Sequence, residues 1–245
     1  MPVLLTTPAL QSPGNSSRAP RRWRRVGGLA LLLILGLTTH APLLRTLARA
    51  MIVDGPAPSD AWVLVLDGDY RFDRAVDLHQ AGAAPGVLFV DPPATRLVRS
   101  GVVPSRKEQC LRELGRRGVS PGEVTALPGN DKTPWQIAHA LEAWLVEHPT
   151  ARILVLCERF AGRDLRFVVS KVMHPTLARR VAFRGLPDHR YDETNWWRNR
   201  AGVRALAGAA FDLAYDALHG EDAPTVNEFD PDKYERDLRA AISGK

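Results

Sequence analysis

The sequence predicts an α/β protein: a Rossmann-like, doubly wound domain on a mainly parallel five-stranded sheet, preceded by one transmembrane helix. Three observations predict it. From residue 61 to about 218, short continuous apolar runs alternate with amphipathic stretches. Runs of that kind read as strands buried on both faces, and their alternation with helices as a parallel sheet. Right-handed crossovers then wind the helices onto both faces. Upstream, residues 26–44 form a run of 19 residues without Asp, Glu, Lys or Arg. As a helix that run is about 28 Å long, close to the hydrocarbon thickness of a bilayer.

Taken in order, residues 1–25 are rich in Pro, Ser, Thr and Gly and read as a disordered basic tail. Residues 26–44 read as a signal anchor; the alternative is a cleaved signal peptide, since Ala48-Arg49-Ala50 has the small-x-small form. Five arginines precede the segment and only Arg45 and Arg49 follow closely. The positive-inside bias therefore predicts a single-pass protein of the plasma (inner) membrane, N-terminus cytoplasmic and domain on the outer, periplasmic side. The domain spans 51–220. AWVLVL (61–66), GVLFV (86–90), EVTAL (123–127), RILVLC (152–157) and RRVAF (179–183) are the strands. The spacing predicts helices over 70–81, 105–117, 133–147, 165–173 and 196–218. Ser105 and Glu108 form a capping box, and Pro134 suits a first helical turn. Residues 221–245 are a polar tail with a short helix at 232–242.

The chain has 245 residues and 45% hydrophobic content, enough for one α/β domain of ordinary core size. Its net charge of +6 resides mostly in the tail: Arg18, Arg21, Arg22, Arg24 and Arg25 stand there without an acid. The domain is nearly neutral, which argues against nucleic acid as a partner. Cys110 and Cys157 make no disulfide framework and read as small buried apolar residues. Trp196 and Trp197 read as core packing. Motifs for zinc, P-loop, dinucleotide or nucleophile-elbow chemistry do not occur in the sequence.

In such sheets ligands bind beyond the carboxyl ends of the strands. That rule selects Asp67-Gly68-Asp69, Asp91, residues 130–133, residues 157–163 and the segment after Gly185. Asp67 and Asp69 flank a glycine there, able to hold a divalent cation or ribose hydroxyls; alternatively Asp69 caps the next helix. Arg71 and Arg74 are three apart, and Arg159, Arg163 and Arg166 follow an i, i+4, i+7 pattern. With Lys132 they can clamp a phosphate; the alternative is a solvated face paired with Asp73, Asp77, Glu158 and Asp164. Thr133 reads first as a cap and second as a ligand contact. Gln136 and Phe160 complete the ligand-facing set. If the protein is an enzyme, acid/base or metal-assisted phosphate chemistry falls to Asp67, Asp69 and Glu158.

The segment from Leu44 to Val90, with KTPWQIAHAL, LCERFAGRDLRFVVSKV and NWWRNRAGVRALAGAAFDLAYDAL, resembles the YdcF-like, SanA-like and ElyC-like envelope protein family. The likeness runs from about Leu44 to Gly220. The resemblance implies a role in envelope integrity, peptidoglycan or lipid-carrier metabolism, and, for a cytoplasmic branch, adenosylmethionine binding. This chain departs from the family pattern at the site. Asp67-Gly68-Asp69 replaces a glycine-rich turn, Ala161 stands where the family places a histidine, and Gly208-Ala209-Ala210 lacks the family's acid. These departures leave two readings: an envelope-anchored protein binding a phosphorylated or nucleotide-like small molecule, or a catalytically degenerate binding or scaffold module.

Overall fold

The structure, a computed structural model, describes residues 40–56, 58–66, 69–129, 133–222, 234, 239, 240 and 242. The basic tail, residues 26–39 of the expected anchor and most of the expected helix at 232–242 lie outside the described residues. Among those described, no helix is long and apolar enough to cross a membrane. The chain divides into two compact units, Met1–Leu43 and Leu44–Lys245, and the α/β architecture belongs to the second.

That unit is an α/β fold on a five-stranded sheet. The strands are β1 (Ala61–Val65), β2 (Val87–Asp91), β3 (Val124–Pro128), β4 (Arg152–Glu158) and β5 (Val181–Leu186). All pair in parallel, in the order β3-β2-β1-β4-β5. The helices are α1 (residues 44–51 of a helix that begins at 40), α2 (Asp69–Gln80), α3 (Arg96–Arg99), α4 (Arg106–Arg116), α5 (Pro134–Glu147), α6 (Gly162–Val172), α7 (Pro175–Ala178) and α8 (Arg200–His219).

Strand residues alternate between two apolar layers because successive side chains point to opposite faces. Val63, Val65, Val87, Phe89, Leu154 and Leu156 meet Phe72, Ala75 and Val76 of α2 and Cys110 and Leu114 of α4. Leu64, Leu88, Val90, Ile153, Val155 and Phe183 meet the inner faces of α5 and α6. A third cluster lies at the carboxyl end of the sheet, where Ala48 and Met51 of α1 pack on Phe160, Tyr191, Trp196, Leu206 and Ala209. Trp196 is buried, as its position in the sequence suggests, and its Nε1 donates to the Leu44 carbonyl at 3.2 Å. Both cysteines are buried and neither forms a disulfide.

Local signals explain most boundaries. The capping box at Ser105 and Glu108 is formed, with both reciprocal bonds present. Thr133 caps α5 and Pro134 takes its first position. Three elements differ from the sequence expectation by more than one residue at a boundary. The strand expected at 179–183 runs instead over Val181–Leu186. Pro175 opens α7 just before it, capped by the His174 side chain. Arg180 closes that turn by donating to the carbonyls of Ala151, Leu145 and His148. The helix expected from Leu165 starts at Gly162, which packs beside Cys157 and Val53. The long last helix is interrupted: a 3₁₀ turn covers Trp196–Arg198, and Asn199 then caps α8 by accepting from Ala201 N at 2.8 Å.

Edge strand β5 is closed near its carboxyl end. Asp54 makes an antiparallel bridge with Arg184, and Gly55 N donates to the Phe183 carbonyl at 3.1 Å. Close packing is tightest at Gly86, where a Cβ would stand 2.5 Å from both the Glu123 carbonyl and the Trp62 ring. Gly86→Ala therefore lowers unfolding free energy by about 1–3 kcal/mol in urea denaturation. Gly208→Ala, on exposed α8 with open space around its Cα, leaves stability unchanged or raises it by up to about 1 kcal/mol.

Candidate functional site

The strand order reverses between β1 and β4: β2 and β3 lie to one side, β5 to the other. Two clefts open beyond the carboxyl ends of these strands, where an open parallel sheet takes its ligands. The first, of about 260 Å³, lies at the reversal itself. Leu66 after β1, Arg71 in the first turns of α2, Cys157 and Glu158 at the end of β4, and Leu165 of α6 line it, with Ile137 of α5. The second, of about 430 Å³, lies between α6, α8 and the loop after β5. Glu158 and Ala161 belong to both. A larger groove of about 710 Å³ runs along β5 beside Val53, Gly55, Pro56 and Pro58. Aliphatic and proline residues dominate its walls, and Arg166 and Arg179 are its charged groups.

In the first cleft the polar group with unmet capacity is Arg71. Its Nε is buried and has no hydrogen-bond partner among the described residues. Its guanidinium carbon lies 5.3 Å from the Tyr70 ring centroid. A buried donor left unpaired costs free energy that an anion entering the cleft would recover. Cys157 contributes shape and no nucleophile: burial pushes its thiol up to about 12, against the opposing pull of Arg71. Around the rim the phenols also stay protonated. Burial, then the charge of Glu158, pushes Tyr191 up to about 12, and burial likewise raises Tyr70.

The second cleft is acidic. Glu158, Asp164, Asp188 and Asp212 line it, against Arg190 and Arg204. Arg190 is already satisfied: its Nε and Nη2 donate to Asp188 at 2.9 and 2.8 Å, which holds Asp188 down at about 2. Asp164 is 4% exposed, in the first turn of α6, and Asp216 of α8 is also buried. Asp164 Oδ1 has no partner among the described residues. Burial first, then the carboxylates of Asp216 and Asp212, push Asp164 up to about 7.

The residues selected from the sequence meet different fates. Arg71 and Glu158 share the first cleft. Thr133 accepts from Gln136 N at 3.3 Å as the α5 cap, one turn from the cleft-lining Ile137. Gln136 Oε1 is buried and unpartnered among the described residues, as is the neighbouring Trp135 Nε1. Arg159 is fully engaged within the fold: it donates to both Glu193 carboxylate oxygens at 3.0 Å, to Asp54 at 2.9 Å and to the Gly185 carbonyl at 2.8 Å. Arg163 donates to the Ala50 carbonyl, tying α6 to α1. Arg74 makes a surface pair with Asp77 at 3.7 Å. Phe160 is 1% exposed and stacks on Tyr191, as part of the third core cluster. Asp67, Gly68, Lys132 and the Asp69 side chain lie outside the described residues. Among those described, no group of three or more His, Cys, Asp or Glu is placed to hold a metal ion.

Tyr70, Arg204 and Asp212 are additions that sequence spacing did not select; Asp188 and Tyr191 stand in the segment after Gly185 without having been singled out, and Asp164, expected on a solvated face, is buried. For Asp164 and Asp216 a signal existed. Asp164 shares the inward stripe of α6 with Leu165 and Val168, and Asp216 that of α8 with Leu206 and Ala209. An acid on an apolar stripe marks a buried polar site.

The chain matches no protein-family model, and comparison with curated proteins finds none similar to it in sequence.

Because Asp164 is raised above its unfolded value, its protonated form favours folding. That contribution is complete below about pH 4 and disappears as pH rises through about 7. Asp164→Asn removes the buried charge. It should raise stability by about 1–3 kcal/mol at pH 8 and by little at pH 4, read from melting curves at the two pH values.

Proposed function

We propose that this chain is a membrane-anchored protein of the cell envelope whose α/β domain binds a phosphorylated or nucleotide-like small molecule in the cleft between β1 and β4. The anchor is the uncharged run at 26–44, and the envelope role comes from the resemblance to YdcF-like and SanA-like proteins. The observation that carries the binding reading is Arg71, a half-buried cation whose buried Nε has no partner among the described residues, at the point where the strand order reverses. Positive charge at that crevice suits phosphate. Glu158 opposite supports ribose or hydroxyl recognition on the same ligand.

The second reading, a binding module without catalysis, draws on a specific observation. Arg159 and Arg163, beside the position where the resembling family places its histidine, hold the fold together through Asp54, Glu193 and the Ala50 carbonyl. That leaves Arg71 and Glu158 as the charged groups lining the cleft among the described residues.

Detergent-solubilised full-length protein should melt a few degrees higher with a nucleoside diphosphate or glycerol phosphate at about a hundred times its Kd. Arg71→Ala should abolish the shift while leaving the unliganded melting temperature within a few degrees. Unchanged melting with both compounds would count against an anion site. A phosphatase reporter fused after Lys245 should be active outside the cytoplasm; activity confined to the cytoplasm would reverse the proposed orientation.

A further inference from the structure

We infer that the ligand is zwitterionic: its phosphate lies against Arg71 in the first cleft and its ammonium group enters the second cleft, against Asp164 and Asp212. The inference rests on the reading of the first cleft as an anion site and adds a substrate class to it. Three observations carry it.

The two clefts are neighbours with a common wall. Glu158 and Ala161 line both, so one molecule crossing that wall touches both chambers. The wall is low at Ala161, whose side chain ends at Cβ and makes no capping bond to α6.

The two chambers differ in charge. Arg71 is the cation of the first. In the second, the Arg190 charge is cancelled by its two-pronged contact with Asp188. Glu158, Asp164 and Asp212 then face a single further cation, Arg204. The surplus is carboxylate, and it comes from three elements: β4, α6 and α8.

The acidic chamber also contains an unmet acceptor. Asp164 lines it, is 96% buried by its 4% exposure, and keeps Oδ1 without a hydrogen-bond partner among the described residues. Asp216 lies beside it as a second carboxyl, and burial together with that neighbouring carboxyl disfavours the charged form of Asp164. A metal ion is a poorer fit than an ammonium group. No group of three or more ligating side chains is placed for one among the described residues, whereas an ammonium needs only convergent acceptors and brings three donors. On entry it takes the place of the proton that burial favours on Asp164, which leaves to solvent.

The test uses the full-length protein in detergent and isothermal titration at pH 7.5. The probes are 2-aminoethyl phosphate and 4-aminobutyl phosphate, their amine-free partners ethyl and butyl phosphate, and butylamine. At least one aminoalkyl phosphate should bind about tenfold or more tightly than its amine-free partner. Asp164→Asn, which keeps the shape and is expected to stabilise the fold, should erase that advantage and leave the alkyl phosphate affinity unchanged. Arg71→Ala should weaken every phosphate and spare butylamine. Aminoalkyl and alkyl phosphates binding equally would overturn the zwitterion inference and keep the anion site. Butylamine binding lost in Asp164→Asn, with no phosphate bound, would keep the acidic chamber and overturn the anion site. No binding of any probe would overturn both.

Discussion

Strand β1 pairs with β4 through five consecutive registered residues, Ala61 with Arg152 through Val65 with Leu156. Beyond that ladder the chain leaves the two strand ends toward opposite faces. After β1 it turns into α2, which packs on the layer of Val63 and Val87. After β4 it turns into α6, which packs on the layer of Val155 and Phe183. Right-handed crossovers impose that divergence on any parallel sheet whose order reverses at this point. Nothing in the two loops needs to be special for a crevice to open between them. Arg71 and Glu158 line it because they stand in the first turns after β1 and at the last residue of β4.

A second layer of organisation is polar. The carboxyl rim of the sheet meets α1 and α8 through a third apolar cluster, and arginines sew the contact together. Arg159 joins Asp54, the Gly185 carbonyl and Glu193; Arg163 holds the Ala50 carbonyl; Trp196 holds the Leu44 carbonyl. Multidentate guanidinium contacts of this kind suit backbone carbonyls and carboxylates that would otherwise be buried unpaired. The exceptions stand out against that background. Arg71 Nε, Gln136 Oε1, Trp135 Nε1 and Asp164 Oδ1 have no partners among the described residues and stand in first helical turns at the rim, whereas Trp144 Nε1, also without one, lies farther along α5. Unmet polar atoms are costly inside a fold, and the four at this edge make it the candidate site.

Much of the architecture was legible in the linear pattern. Continuous apolar runs such as RILVLC can be stable only between two covering layers, so the parallel sheet followed from composition and spacing. Ser105 with Glu108, and Thr133 with Pro134, announced their helix starts because a cap is a contact within four residues. Boundaries moved where the deciding contact was distant. Arg180 bonds to carbonyls some thirty residues earlier, and Gly162 packs on Cys157 and Val53. The candidate site was half legible. Arg71 and Glu158 follow from the rule about strand ends, but the spacing of Arg159, Arg163 and Arg166 does not distinguish a phosphate clamp from a structural brace.

By itself, then, the amino-acid sequence determined the alternation of strands and helices, the parallel sheet, the caps and the rim where polar loops gather. These depend on burial periodicity and on contacts between near neighbours, which a linear pattern records. Only the tertiary structure decided which arginines are engaged and which keeps an open donor, and that Asp164, Asp212 and Asp216 converge from two helices. Those outcomes depend on desolvation and on partners far apart in the chain, and neither is a property of local order.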